Sequence, residues 1–308
     1  MSASPYAISI VEPVTITDSI LTYSNIPETD YSAWSSGTTY ALGDRVILTS
    51  THKVYESLQA GNLNKNPTTF VSYWVEVGPT NKWKCFDNSN STQTVGTGSP
   101  TQISYILEAG IAITSVGILN ITKGSSVTIV MTDPTYGVVY NKTESLGTYP
   151  QYPEWWSWFF GLRFSKTQFV ATDLPSYPNA EISITVNGSV GLAVGVIIIG
   201  QQISFSLGMN HGARLGIQDY SRKETNDFGD TVLIQRAFAK RANFDLLLDN
   251  YEVDLMQNIL SSIRAVPVLW VGSNEFEATV IFGFYKNFDI LLSYSTHAEC
   301  SLEIEGLT

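Results

Sequence analysis

Charge is scarce in this sequence. Only 15% of its 308 residues are Asp, Glu, Lys or Arg, and 28 acids against 17 bases leave a net charge of -11. Such a surface offers no cationic track to a phosphate backbone, which argues against nucleic acid as a partner. Histidine is scarcer still: His52, His211 and His297 stand alone, without metal-ligand spacing to Cys, Asp or Glu, so no metal is expected. His211, in Asn-His-Gly, reads as a turn residue. The two cysteines, Cys85 and Cys300, are too far apart to make a disulfide framework. Met1 to Asn25 has neither a positively charged start nor an apolar core, so no secretory signal is read, and two thiols then fit a reducing cytosol. The most apolar stretch, Val190 to Ile199, falls far short of the ~20 residues that span a bilayer; it reads as a buried strand, and no membrane insertion is expected. There is no glycine-rich phosphate loop and no nucleophile elbow, so neither a catalytic residue nor a cofactor is expected. Asp133, Glu144 and Glu154 sit between strands and read as solvated acids, although paired carboxylates are also what a glycosidase uses.

Alternation at period two is what the chain has in abundance. Ala7 to Glu12 alternates like a strand, Pro13 ends it, and an N-terminal arm over 1–30 is expected to pair with its own sandwich or with a neighbouring subunit. From Lys82 to about Ser206 strand follows strand: 101–107, 111–121, 126–131, 138–140, 157–164, 167–171, 181–186 and 190–199. Asn187-Gly188 between two alternating runs predicts a hairpin turn. The spacing predicts an antiparallel β-sandwich of jelly-roll type over 81–206. Within it, Glu154-Trp-Trp-Ser-Trp-Phe-Phe160 is a dense aromatic run. On a strand, Trp156, Trp158 and Phe160 would face opposite Trp155 and Phe159, one face filling the core and the other meeting a second domain or subunit.

From 207 to 308 the character changes. Arg214, Arg222, Lys223, Arg236, Lys240 and Arg241 concentrate positive charge, mixed with Asp219, Glu224, Asp227 and Asp230. Arg214 to Asp219 and Thr231 to Lys240 alternate as strands around a long hairpin tip, either solvated or paired with charges across a subunit boundary. Asp249-Asn250 offers a cap to the one amphipathic helix, Val253 to Arg264, with Val253, Met256, Leu260 and Ile263 at helical spacing and Pro267 beyond. Strands at 267–272, 279–285, 289–294 and 299–303 close a sheet that carries this helix. The fold class expected is mainly β: a small N-terminal β-module, a sandwich, and a C-terminal β-sheet unit with one packed α-helix.

The module is read at 31–80. Trp34-x5-Tyr40-x2-Gly43-Asp44-x-Val46, followed by Tyr55, Asn66-Pro67 and Trp74, sets aromatics every few residues among turn formers. Over about fifty residues this pattern resembles the short chitin-binding modules appended to bacterial chitinases, and the copies of that module carried by bacteriophage tail and baseplate proteins. The resemblance implies a small carbohydrate-binding-like module whose aromatics stack on sugar rings; Trp34, Tyr40, Tyr55 and Trp74 are the matching aromatics. Some of these four are needed for the core of so small a unit. The sheet-plus-helix plan of 207–308 is similar in layout to phage tail-tube and baseplate rings. Together the resemblances imply a virion protein made in the host bacterial cytoplasm, a homo-oligomer contacting other tail proteins and a host-surface glycan. A free lectin-like protein and a glycan-cleaving enzyme are the alternatives.

Overall fold

The computed structural model describes residues 8–147, 154–161, 165–205, 213–225, 229–273, 276–292 and 294–307; the side chains of Ser157 and Trp158 lie outside that description. The fold is mainly β. In chain order the strands are β1 (Ser9–Pro13), β2 (Leu21–Ser24), β3 (Thr39–Tyr40), β4 (Arg45–Leu48), β5 (Lys53–Ser57), β6 (Asn62–Leu63), β7 (Trp74–Pro79), β8 (Thr94–Val95), β9 (Thr101–Glu108), β10 (Ser115–Asp133) and β11 (Gly137–Ser145). After the short helix α1 (Trp155–Phe160) come β12 (Phe169–Ala171), β13 (Glu181–Ser204), β14 (Arg214–Asp219), β15 (Arg222–Thr225), β16 (Thr231–Ile234) and β17 (Phe238–Asp249). Helix α2 (Val253–Ser262), β18 (Val268–Val271), β19 (Val280–Leu291) and β20 (His297–Gly306) complete the chain.

One antiparallel sheet runs β11-β10-β13-β1-β18-β19-β20-β17-β14, with β8 and β9 also paired to β13, β12 to β10 and β2 to β9. The N-terminal strand pairs within its own chain: Ile10 lies opposite Ile203 of β13 on one side and Trp270 of β18 on the other. β1 therefore joins the sandwich sheet to the C-terminal sheet. Three apolar clusters follow from the alternation. The sandwich core is built from β9, β10 and β13, with Ile103, Tyr105, Ile129, Ile184 and Val194 fully buried or nearly so. The C-terminal core sets Phe244, Leu246, Trp270 and Leu302 under the α2 residues Met256 and Leu260, and under Ile263 just beyond the helix. A third cluster, Val11, Leu119, Val196, Leu269 and Phe282, fills the seam between them.

Helix α2 forms where its periodicity predicts. Asp249 and Glu252 exchange a capping box around the 3-10 turn Asn250–Glu252 that leads into it, and Arg264 donates Nε–H to the Ser261 carbonyl at 3.2 Å just past its end. Two expectations are overturned. Asn187-Gly188 makes no hairpin, because the segments on both sides of it keep the same partner: Val186 faces Val127 and Val194 faces Ile121 along a single bent pair, β10 with β13. The bend falls at Lys123-Gly124, where the register slips, and Gly188 is required there since a Cβ would overlap the Lys123 carbonyl. The aromatic run is not a strand over 157–164. Residues 155–160 form α1, where rings four apart meet: Trp155 stacks on Phe159 at 6.2 Å and Trp156 meets Phe160 at 5.6 Å. Residues 162–164, and His211, lie outside the described residues.

Gly200 tests the junction. It sits opposite both Pro13 and Ser115, and a Cβ there would overlap the Glu12 carbonyl oxygen. Gly200→Ala is expected to lower stability by about 1–3 kcal/mol through overpacking, measured by denaturant unfolding, whereas alanine at the open, exposed Gly37 position should lie near zero.

Candidate functional site

The module is assembled from local pairings. β4, β5 and β7 form a three-stranded sheet, and β3 pairs β6 beside it. Its core is Tyr40, Val46, Tyr55 and Trp74, with Trp34 packed half-buried against them. Tyr40 and Trp74 meet edge to face at 5.2 Å. The polar tips of both rings are spent inside the module: Tyr40 Oη accepts from the Ser35 amide at 2.8 Å, and Trp74 Nε1 donates to the Lys65 carbonyl at 2.8 Å. Trp74 is 3% exposed, Tyr55 6% and Tyr40 7%, so none of the three presents a ring face to a sugar. Of the four matching aromatics these three are core residues, the role so small a unit imposes on large flat side chains.

The accessible rings are others. Tyr31 and Phe70 are exposed. Arg45 lies over the Tyr31 ring at 5.9 Å, donates to its hydroxyl at 3.2 Å and pairs with Glu56 at 2.8 Å. Lys65 lies over Phe70 at 4.6 Å and over Tyr73 at 5.3 Å. Tyr31 and Arg45 line a cleft of about 450 Å³ whose far wall is Asn81, Lys84 and Thr92 of the body. Both rings thus carry a cation on or beside one face. Nothing in residue spacing separates them from the buried set, because Tyr31 and Phe70 lie in the connections between strands of only two to six residues.

His52 ties the module to the body. Its backbone is left-handed at φ 55°, and its ring stacks on Trp83 of the sandwich core at 4.1 Å. Nδ1 lies 3.0 Å from Glu28 Oε1 and Nε2 lies 3.0 Å from Asp18 Oδ1, while Thr80 donates its hydroxyl to the same Glu28 carboxylate at 2.9 Å. No sequence signal marked this clamp; its partners are 24 to 34 residues upstream.

The charged segment divides in two. Arg214, Arg222, Lys223 and Arg236 belong to a projecting arm: β14 pairs the outer edge of β17, and β15 with β16 forms a separate two-stranded ribbon in which every residue is exposed. Arg222 pairs with Glu224 on its own strand. Lys240 and Arg241, expected with this group, instead serve contacts within the chain. Arg241 pairs with Glu303 of β20 at 2.7 Å. Lys240 turns inward and donates Nζ–H to Gln168 Oε1 at 2.8 Å and to the Val280 carbonyl at 3.3 Å, and burial lowers its pKa. It sits at the root of the arm, where the paired strands close over it. Trp156, expected at a strand interface, stands on the exposed face of α1; Trp158 lies outside the described side chains. The carboxylates also separate: Asp133 is buried and its Oδ1 accepts the Thr135 and Tyr136 amides, Glu144 pairs with Lys166 at 3.0 Å, and Glu154 is exposed. Asp133 is therefore a turn cap, not a solvated acid. Among the described residues no group of His, Cys, Asp and Glu is arranged to hold a metal, and no helix is long and apolar enough to cross a membrane.

Burial pushes the Cys85 and Cys300 thiols up to about 12. Both are then protonated at neutral pH, so neither should react with a disulfide reagent at pH 8 until the chain unfolds, when both should titrate. Trp74→Ala should cost about 3–5 kcal/mol of stability from the lost core ring, read by chemical denaturation of the full chain. Lys240→Met leaves Gln168 and a carbonyl without their donor and should cost about 1–3 kcal/mol.

No protein-family model matches the chain, and no curated protein matches it. Among solved structures it is similar in part to a selenomethionine-labelled mutant of chitosan-binding module 1, derived from a chitosanase/glucanase from Paenibacillus sp. IK-5. The identity is 15%, the match covers 39% of this chain and 83% of that one, and the TM-score is 0.24, below what a shared fold gives.

Proposed function

We propose that the chain is a structural component of a bacteriophage virion, from the tail or baseplate region, that forms a symmetric homo-oligomer and holds its small module outward toward a host-surface glycan or another virion protein. The phage setting rests on the sequence resemblance of 31–80 and on the layout of 207–308. The observation that carries assembly is the arm: a ribbon of eight residues, Arg222–Thr225 with Thr231–Ile234, has every side chain in solvent, including Val232, Leu233 and Ile234. An isolated two-stranded hairpin is at best marginally stable in water, and its apolar residues gain nothing until a partner covers them. The 13-stranded sheet supplies a frame from which such an arm projects at one edge.

Display of the module follows from how it is held. It keeps its own aromatic core, apart from the main sheet, and is tied to the body through His52 and the Thr80–Glu28 contact. Glycan contact, on this reading, falls to Tyr31 and Phe70, not to the buried Tyr40, Tyr55 and Trp74.

Light scattering of the purified chain should report one discrete multimer of the 33.9 kDa subunit; a monomer at every concentration would count against assembly. Retention on chitin or host envelopes should fall several-fold in Tyr31→Ala and Phe70→Ala with circular dichroism unchanged. Equal retention in both variants would remove the glycan contact and leave assembly standing.

A further inference from the structure

His52 is held between two acids that come from outside its own module. It sits in the turn between β4 and β5, and its ring lies on Trp83 at 4.1 Å with 22° between the planes. Nδ1 stands 3.0 Å from Glu28 Oε1, and Nε2 stands 3.0 Å from Asp18 Oδ1. An ionised carboxylate only accepts hydrogen bonds, and a neutral imidazole carries a single N–H. Both contacts together therefore need the imidazolium, which the Trp83 face also favours. The other charged groups around the ring are engaged elsewhere. Lys53 pairs with Glu76 at 2.7 Å, and Asp87, on the same cavity, accepts the Ser89 amide at 2.9 Å and the Thr92 hydroxyl.

The two acids are not alike. The Glu28 side chain is 15% exposed and holds the Thr80 hydroxyl, whereas the Asp18 side chain is 73% exposed and has no other ion pair among the described residues. Once the ring loses a proton, the one that is left stays on Nδ1, toward Glu28. Nε2 then turns a lone pair to a carboxylate oxygen, and the Asp18 contact becomes repulsive. Asp18 belongs to the turn at 18–20, where the Ile20 and Leu21 amides both donate to the Thr17 carbonyl, at 3.0 and 2.9 Å. That turn forms one wall of a cavity of about 370 Å³, faced by Ser50 to Lys53, Trp83 and Phe86.

We propose that the Asp18–His52 contact is a proton-gated latch, which holds the turn at 18–20 against the module while the imidazole is charged and releases that wall of the cavity when the ring is neutral. Glu28 stays bound to the ring in both states, and the Thr80 amide keeps its bond to the His52 carbonyl at 2.9 Å, so the turn moves and the module does not. The latch needs only this chain and stands apart from the phage reading.

Hydrogen exchange of residues 17–24 in the full chain, followed by mass spectrometry between about pH 5 and pH 8, where imidazoles titrate, tests it against Asp18→Asn. The asparagine carbonyl accepts from the charged ring and its amide donates to the neutral one, so that variant should stay latched throughout. Taking the ratio to the variant at each pH removes the base catalysis of exchange common to both. Wild-type protection in that ratio should fall about three- to tenfold as the pH rises, the effect of one exposed hydrogen bond. His52→Asn, which suits the left-handed backbone at φ 55°, should show the loose turn at every pH. A flat ratio, or a His52→Asn chain that follows the wild type, overturns the latch. So would nitrogen NMR shifts that report a neutral ring at a pH where wild-type protection is complete.

Discussion

The whole architecture hangs on five residues, Ser9 to Pro13. β1 is hydrogen-bonded along both edges, to β13 on one side and β18 on the other, and without it the sandwich and the C-terminal sheet share no backbone ladder in the main sheet path. Its side chains divide between the cores: Ile10 goes into the C-terminal core and Val11 into the seam with Leu119 and Phe282. Each such burial contributes about 1.5–3 kcal/mol, and Ser9 adds a hydroxyl contact to Ser204 at 2.8 Å. Lys240, reaching from the root of the arm to Gln168 of the sandwich, braces the same seam from another side. The two sheets are thereby joined through both backbone pairing and side-chain contacts.

Everything proposed to meet a partner lies outside those sheets. The module has a core of its own, and the arm leaves from the β14 edge. This division accounts for the composition. A chain so poor in charge and rich in aliphatic alternation can fill three clusters from its strands, and the apolar residues left over, in α1 and the arm, are surplus to any core.

Which parts could be read from residues alone follows from how local each determinant is. The α2 helix was legible because its cap, its apolar spacing and its terminal Pro267 lie within twenty residues. The run expected to be buried over Val190 to Ile199 was legible from Leu192 onward, because a continuous apolar stretch has nowhere else to go, while Val190 at its start is exposed. Asn187-Gly188 misled because an Asn-Gly pair serves a bend as well as a turn, and the choice is made by β10, some sixty residues earlier. The run at 155–160 misled because tryptophan and phenylalanine favour strands, while ring contacts at a spacing of four favour a helix. In the module, three of the four aromatics that the resemblance marked for sugar contact fill the core instead: with strands this short, burial depends on which ring the neighbouring strand covers. His52 and Lys240 act through residues distant in sequence, and no spacing rule reaches them.

The position of β1 also sets an order of events. Ser9 pairs with Ser204 and with Val271, so β1 finds its second neighbour only once the chain has been made as far as Val271. Until then β1 exposes the edge that β18 will cover, of the kind that joins wrongly with other chains. Pairings so remote in sequence close slowly. A chain interrupted before Val268 would carry its central strand with no ladder on one side, which makes truncated products the natural victims of aggregation and proteolysis.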